Sequence, residues 1–224
     1  MPSYLDLGNE ILELILDKAR NLRLTLLKAY YDERYHFFFQ NHGFRVKYLR
    51  YLKQKKIEKV SHLNKIEQCG FDLQSIHQDD VKELADFFYP VYYGDIDFQH
   101  GIAANTRNEW EEEVQKNLNG QYGRFISSSS FIMRDSITKS VLGSIFVCHW
   151  ASKTAKITVI GVSKKNQRQG IGSFLIQKSI ESLVRKGYQY LQLDVTAGNT
   201  PAERLYDKLG FEKIAGEYTA DKSL

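Results

Sequence analysis

An apolar run, Ile157 to Val162, feeds directly into V-S-K-K-N-Q-R-Q-G-I-G-S, Val162 to Ser173, and an amphipathic helical pattern from Ser173 to Arg185 follows. No other stretch limits the fold as tightly. A strand, a glycine-bearing loop and a helix start, in that order, make a socket for phosphate. Glycines let backbone approach an anion closely, and the first turn of the helix offers N–H groups without intrahelical partners at the positive end of its dipole. Arg168 adds charge beside it, and Ser173 adds a hydroxyl. The plain alternative for Gly170 and Gly172 is a tight turn and helix cap, and for Gln167 and Arg168 polar loop positions facing water.

Around this segment the chain alternates strands and helices from Phe71 onward. Phe71 to Ile76 reads as a short strand, and Asp79 to Tyr89 as a helix ending before Pro90. Residues 90–105 read as a long loop. Thr106-x-x-Glu109 is a capping box that opens a helix through Leu118. Phe125 to Arg134, Val141 to Trp150 and Lys156 to Val162 read as three successive strands. Lys186-Gly187 closes the helix after the glycine loop, and Tyr190 to Val195 is a further strand. Thr200-Pro201-x-Glu203 opens a helix that ends at Gly210, and Phe211 to Tyr218 is the last strand. Three consecutive strands without intervening helices argue for a mixed sheet in an α/β (α+β) architecture.

Residues 1–70 have a different character. They hold thirteen Lys/Arg against eight Asp/Glu, whereas residues 71–224 hold eighteen against nineteen, so the net charge of +4 resides at the N-terminal end. Apolar positions from Ile11 to Leu27 form a wide helical face, followed by an aromatic cluster (Tyr30, Tyr31, Tyr35, Phe37 to Phe39). A second helical pattern spans Arg45 to Ile66, with seven basic residues between Arg45 and Lys59 interleaved with Tyr48, Leu49, Tyr51 and Leu52. Such a basic helix suits either a solvated face or an anionic partner, and no nucleic-acid recognition module is readable in it. The domain division this implies is a basic helical extension, 1–70, and an α/β domain, 71–224. Cys69 and Cys148 match no metal or redox spacing, and Cys148 reads as a small buried thiol. No signal peptide opens the chain, and no apolar run approaches the ~20 residues of a membrane span, so the expectation is a soluble, cytoplasmic protein.

Gln167-x-x-Gly170-x-Gly172 after an apolar strand, Asn199-x-x-Ala202-x-x-Leu205-Tyr206 after the next strand, and Lys208-Leu209-Gly210-Phe211 at the turn into the last strand together resemble the GCN5-related N-acetyltransferase (GNAT) superfamily. The resemblance is strong over residues 155–212, weaker over 71–154, and does not cover the N-terminal seventy. It implies acetyl-CoA, or another acyl-CoA, as donor. The pyrophosphate would lie over Gln167, Arg168, Gln169, Gly170, Ile171, Gly172 and Ser173, and the pantetheine arm along the backbone of Thr158 to Val162, including Ile160, Gly161 and Val162. Asn199 matches a position that often holds the cofactor arm, with a helix cap as its plain alternative. Tyr206 matches a frequent general acid, with a core role as its alternative.

Acyl transfer to an amine needs a neutral nucleophile, a polarised carbonyl and a proton for the leaving thiolate. Many members of the family carry a glutamate on the strand before the loop. Here that strand, K-I-T-V-I-G-V, holds no acid, which leaves Asp194, His149 and His100 as candidate bases. Tyr92, Tyr93, Asp95, Asp97, Phe98 and His100 combine acidic and aromatic groups that suit a cationic amine or serve as an ordinary surface loop. The leading expectation is therefore N-acyl transfer to a small-molecule or protein amine in a ternary complex, with no metal and no membrane partner, and with a homodimer as one use of the extension. The alternatives are a non-catalytic acyl-CoA sensor and a nucleic-acid-associated acetyltransferase recruited through Arg45 to Lys59.

Overall fold

The computed structural model describes residues 4–58 and 70–224. In chain order the elements are α1 (Tyr4–Asn21), β1 (Leu26–Asp32), α2 (His36–Asn41), β2 (Arg45–Lys56), β3 (Phe71–Ser75), α3 (Val81–Tyr92), α4 (Ile96–Gln99), α5 (Arg107–Leu118), β4 (Phe131–Asp135), β5 (Val141–Ala151), β6 (Thr154–Val162), α6 (Ile171–Arg185), β7 (Tyr190–Thr196), α7 (Thr200–Lys208) and β8 (Glu212–Ser223). They form two compact units, Met1–Arg50 with Ala215–Leu224, and Tyr51–Ile214. This division differs from the expected one at 70/71: the second half of β2 belongs to the larger unit, and the last ten residues belong to the smaller.

In the smaller unit α1 buries Leu12, Leu16 and Ala19, one helical stripe. It ends earlier than the apolar pattern suggests. Arg23 adopts a left-handed conformation (φ 55°) and Leu24 N–H returns to the Ala19 carbonyl at 3.0 Å, which closes the helix as a glycine would. Leu26 to Asp32 then pairs antiparallel with β8, from Leu26↔Ser223 to Asp32↔Glu217. Tyr31 stacks on Phe39 at 4.2 Å, and these two with Phe38 join the core of this unit, whereas Tyr30, Tyr35 and Phe37 are exposed.

The expected basic helix is absent: Arg45 to Lys56 is strand β2. From Arg45 to Lys55 its basic residues stand two or three apart, a spacing that fits both periods, and the β-branched and aromatic Val46, Tyr48 and Tyr51 suit a pleated surface. Lys53 is buried and paired with Asp207, Lys47 lies 3.5 Å from Asp221 and Lys56 lies 2.9 Å from Glu58. The charge is spread along a strand and partly neutralised, which removes the helical face on which the nucleic-acid reading rested. Lys59, the remainder of the pattern to Ile66, and Cys69 lie outside the described residues.

In the larger unit the strand order is β2-β7-β6-β5-β4-β3. β3 to β6 are antiparallel neighbours, and β6 and β7 are parallel. The sheet is mixed, as the run of three strands required. One face packs Ile132, Phe146 and Val159 against Leu84 and Phe88 of α3 and Trp110 and Val114 of α5. The other packs Ile145, Val147, Ile157, Leu191, Leu193 and Val195 against α6 and α7.

Two expected boundaries move. α3 runs through Pro90 to Tyr92, because the proline falls in the last turn, where it removes one N–H while Tyr93 N–H still closes the end on the Tyr89 carbonyl at 2.9 Å. Residues 90–105 thus contain a helix end and α4. The strand expected from Phe125 begins only at Phe131; Ser127–Ser129 form a turn of 3-10 helix. The Thr106 cap is present, its hydroxyl accepting from Glu109 N–H at 3.2 Å. Among the described residues no helix is long and apolar enough to cross a membrane.

Candidate active site

The loop from Val162 to α6 is held by short local bonds. Asn166 N–H donates to the Ser163 carbonyl at 2.8 Å, and the Ser163 hydroxyl lies 2.6 Å from the Asn166 side-chain oxygen. Arg168 (φ 63°) and Gly170 (φ 85°) are both left-handed, which turns the chain sharply into α6. Gly170 is the N-cap and supplies no side-chain acceptor. The N–H groups of Ile171, Gly172 and Ser173 therefore begin a helix with no cap across them, the arrangement that favours an anion. Arg168 is exposed and in no ion pair among the described residues. Gly172 has a second reason to be glycine: a Cβ there would stand 3.2 Å from Leu205 of α7 and 3.7 Å from Val162. Gln167 and Gln169 fold back onto the loop, donating to the Val162 carbonyl at 3.3 Å and the Lys165 carbonyl at 3.4 Å.

Leading away from this socket is an opening in the sheet. β6 and β7 pair only from Thr154↔Tyr190 to Ile157↔Leu193, although both strands continue. The separation coincides with a bulge. On the β5 side Val147 opposes Ile157 while Phe146 opposes Val159, so Thr158 is an extra residue. Ile157 and Ile160, three apart, consequently both face α6, while Val159 faces α3. Beyond the bulge Ser163 N–H bonds to the Leu142 carbonyl at 2.9 Å, so Gly161 and Val159 are also turned to β5. Ladder alternation then points the N–H and C=O groups of Ile160 and Val162 into the gap. Two side chains already reach these carbonyls: the Tyr92 hydroxyl donates to Ile160 at 2.9 Å, and Gln167 to Val162. Gly161 lets α3 lean close; its Cβ would meet the Phe88 ring at 3.0 Å.

Tyr206, on α7, is 6% exposed, with its ring 5.9 Å from Phe211. It is close enough to Tyr92 for the two to interact electrostatically. Burial, then Tyr206, Asp97 and Asp95, push the Tyr92 hydroxyl well above its ordinary pKa, so it stays a neutral donor. Asp97 accepts a hydrogen bond from the Thr196 hydroxyl at the end of β7. Asp95 caps α4, accepting from Phe98 N–H at 2.8 Å, and its partial burial raises its pKa. Tyr93 is exposed, its ring tilted against that of Phe98 at 4.9 Å between centroids, while the Lys164 ammonium reaches the Tyr93 carbonyl at 2.8 Å. His100 is exposed at the end of α4. The structure thus brings Tyr92, Asp97, Thr196, Tyr206 and the free edge of β6 together, with Asp95 beside them.

The remaining candidates separate. Asn199 spends its side-chain oxygen on the α7 cap, 3.4 Å from Ala202 N–H. Asp194 is the first β7 residue past the last β6 pair, at the fork, and lies 2.7 Å from the Lys156 ammonium, which also sits 4.3 Å over the Trp150 ring. His149 is ruled out of the cleft: it opposes Ala155, in the closed half of β6, and its ring lies 3.1 Å from the Tyr188 hydroxyl at the far end of the sheet. Thr196 and Lys156 are partners the sequence did not flag, because neither stands near its carboxylate in the chain.

Comparison with known proteins identifies the family. The acetyltransferase (GNAT) family model matches residues 81–211. The mycothiol acetyltransferase of Jonesia denitrificans is 38% identical over 60 residues, 27% of this chain and 19% of that protein. The [ribosomal protein bS18]-alanine N-acetyltransferase of Escherichia coli K12 is 41% identical over 54 residues, 24% of this chain and 36% of that one. The chain therefore spans about a third or less of the length of several of the curated relatives it matches. A solved GCN5-related N-acetyltransferase from Sphaerobacter thermophilus shares the fold at a TM-score of 0.75 over 98% of this chain and 69% of that one, at 14% identity. With more than half of its length matched by the family model, the chain belongs to the acetyltransferase (GNAT) family.

Proposed function

We propose that this protein is an acyl-CoA-dependent N-acetyltransferase that passes acetyl from acetyl-CoA directly to a primary amine in a ternary complex. The observation that carries the reading is the continuous polar path from the bare N-terminus of α6, along the unpaired edge of β6 at Val162 and Ile160, to the buried Tyr206. Bound acetyl-CoA supplies an activated thioester. The N–H groups of Ile171, Gly172 and Ser173 hold its diphosphate, and the edge of β6 orders its amide-bearing arm as an added strand would be ordered. An edge N–H in the gap, from Ile160 or Val162, is placed to polarise the thioester carbonyl. The Tyr206 hydroxyl donates the proton that the leaving sulfur takes up.

On the acceptor side, Asp95, Asp97, Tyr92 and Tyr93 supply negative charge and aromatic faces for a cationic amine, small or at the end of a peptide. Asp194 at the fork is the nearest carboxylate on β7 for proton removal, acting with its Lys156 partner. The cytoplasmic location expected from the sequence belongs to the same reading.

The test is thiol release from acetyl-CoA with a panel of polyamines, aminoglycosides, amino acids and lysine peptides, against a control without acceptor. Acceptor-dependent release is expected, with Tyr206→Phe lowering kcat by about a hundredfold at little change in the KM for acetyl-CoA. Tight acetyl-CoA binding with no release for any acceptor, and no effect of Tyr206→Phe on any property, would replace the enzyme by a sensor.

A further inference from the structure

At the opposite end of the larger unit's sheet lies a cavity of about 460 Å³, lined by Arg124, Phe125, Ser127, Ser128, His149, Lys153, Lys186, Gly187 and Tyr188, with Ile126 at its base. It opens where α6 ends, and the fifteen residues of that helix put it roughly 22 Å from the phosphate socket at the other end. The lining holds three cationic side chains and no carboxylate. Arg124, Lys153 and Lys186 are exposed, and none is in an ion pair among the described residues.

The walls are fixed by bonds that leave these side chains unused. The Lys153 carbonyl accepts from both Gln189 N–H at 2.8 Å and Tyr190 N–H at 3.1 Å, tying the β5–β6 hairpin to the α6–β7 turn. Lys153 is left-handed at φ 55° in the tight turn of the hairpin, and these two bonds hold it there. His149 N–H donates to the Arg124 carbonyl at 2.8 Å, and the Cys148 thiol to the Tyr122 carbonyl at 3.0 Å. Gly123 makes this contact possible, since a Cβ there would fall 2.3 Å from the His149 carbonyl. The serine run is bolted to α6: Ser182 donates to the Ser128 carbonyl at 2.7 Å, Ser179 to the Ser129 carbonyl at 2.8 Å, and Ser129 to the Ser182 hydroxyl at 2.9 Å. Ser129 and Ser130 are buried by this packing, while Ser127 and Ser128 face the cavity.

We propose that this cavity is a second anion site, which binds a small phosphate-bearing molecule independently of the acyl-CoA cleft. Three unneutralised cations with two hydroxyls match a multiply charged phosphate, for which charge-assisted hydrogen bonds are strongest. The concavity and volume match a single small molecule and not the extended backbone of a polynucleotide. The Tyr188, Phe125 and His149 rings give the carbon body of such a molecule a surface. Rigid walls keep the ordering cost of binding low.

The test uses the full chain saturated with coenzyme A and titrated separately with inorganic phosphate, adenosine 5′-monophosphate and a single-stranded oligonucleotide. Backbone amide resonances of Ser128, Lys153 and Gly187 report on the cavity, and those of Gly170 and Gly172 on the loop. Saturable shifts at the cavity with phosphate and the mononucleotide are expected, the loop unmoved. Lys153→Asn and Lys186→Gln should each weaken binding about tenfold, the worth of one charge-assisted bond, with unchanged melting temperature since both side chains are exposed. No saturable shift at the cavity amides, shifts confined to the loop, equal affinity in both variants, or a response to the oligonucleotide alone would each overturn the proposal. Because the resonances locate the ligand, a chain that fails to bind coenzyme A still gives a decisive result here.

Discussion

The two halves of β6 make opposite use of one strand. From Thr154 to Ile157 it is held between β5 and β7, and Thr154, Ala155 and Ile157 are all buried. From Thr158 to Val162 it keeps β5 and loses β7. An exposed strand edge is ordinarily a hazard, since its unpaired groups recruit other strands. Here the hazard is contained: Tyr92 and Gln167 occupy the two carbonyls that face the gap, and α3 crowds the strand at Gly161. A single inserted residue, Thr158, marks the change from a strand paired on both sides to one with an open edge. That residue is itself fastened, because the Thr158 hydroxyl is bonded to Asn117 of α5. Stability is thus concentrated below the bulge, and the binding edge that we propose lies above it.

That division is broken most directly by Leu193→Ala, at the last β7 position that still pairs. Leu193 is 1% exposed, and truncation of so buried a leucine costs about 2–5 kcal/mol. The closed half should therefore answer with a large loss in chemical denaturation, and with no change in acetyl-CoA affinity under conditions where the variant remains folded. A loss of affinity in proportion to stability would mean that the two halves are one mechanical unit. Tyr92→Phe addresses the open half with a smaller effect. It removes one hydrogen bond, worth about 1 kcal/mol, but frees the Ile160 carbonyl for a ligand. Denaturation should record the small loss, while calorimetric titration finds acetyl-CoA binding as tight as before or tighter. Weaker binding would make Tyr92 part of the site's support instead of a plug on its edge.

How much of this was legible depends on how local each signal is. The glycine loop, α6, and the Asn199–Pro201 start of α7 were readable because cap, turn and helix are written within a few neighbouring residues. β2 is not legible in the same way, because its basic and apolar residues satisfy two periodicities, and the neighbours that choose strand are more than a hundred residues away, as in the Gln54–Gln192 bond. Pro90 does not stop α3, since proline is tolerated where a helix has only one turn left to lose. The gap itself had no signature in composition: it is a matter of register, one residue more on β6 than β5 can match. For the same reason Thr196 and Asp97, 99 residues apart, meet without any motif to announce them, and the cations around the far cavity come from three separate turns.

The finest test of the comparison is electrostatic. Asp95 sits on the open side of the molecule, and burial, with the nearby Asp97 charge in the same direction, raises its carboxyl above the ordinary aspartate value. The Phe98 N–H, the Asp97 N–H and the Lys164 ammonium oppose this shift without cancelling it. A raised carboxyl pKa means that the folded chain holds this proton more firmly than the unfolded chain does. The contribution is fully present below the unfolded pKa and is lost as pH rises through the folded one, so ionised Asp95 is a small strain carried at neutral pH. Asn in its place accepts the same Phe98 N–H and caps α4 equally well, but carries no charge. Melting curves of the two proteins should therefore diverge, the wild type losing ground to Asp95→Asn as pH climbs from the acid side of that window towards neutrality. Parallel curves would mean that water reaches Asp95 freely, and that the open half holds its carboxylates at no cost to the fold.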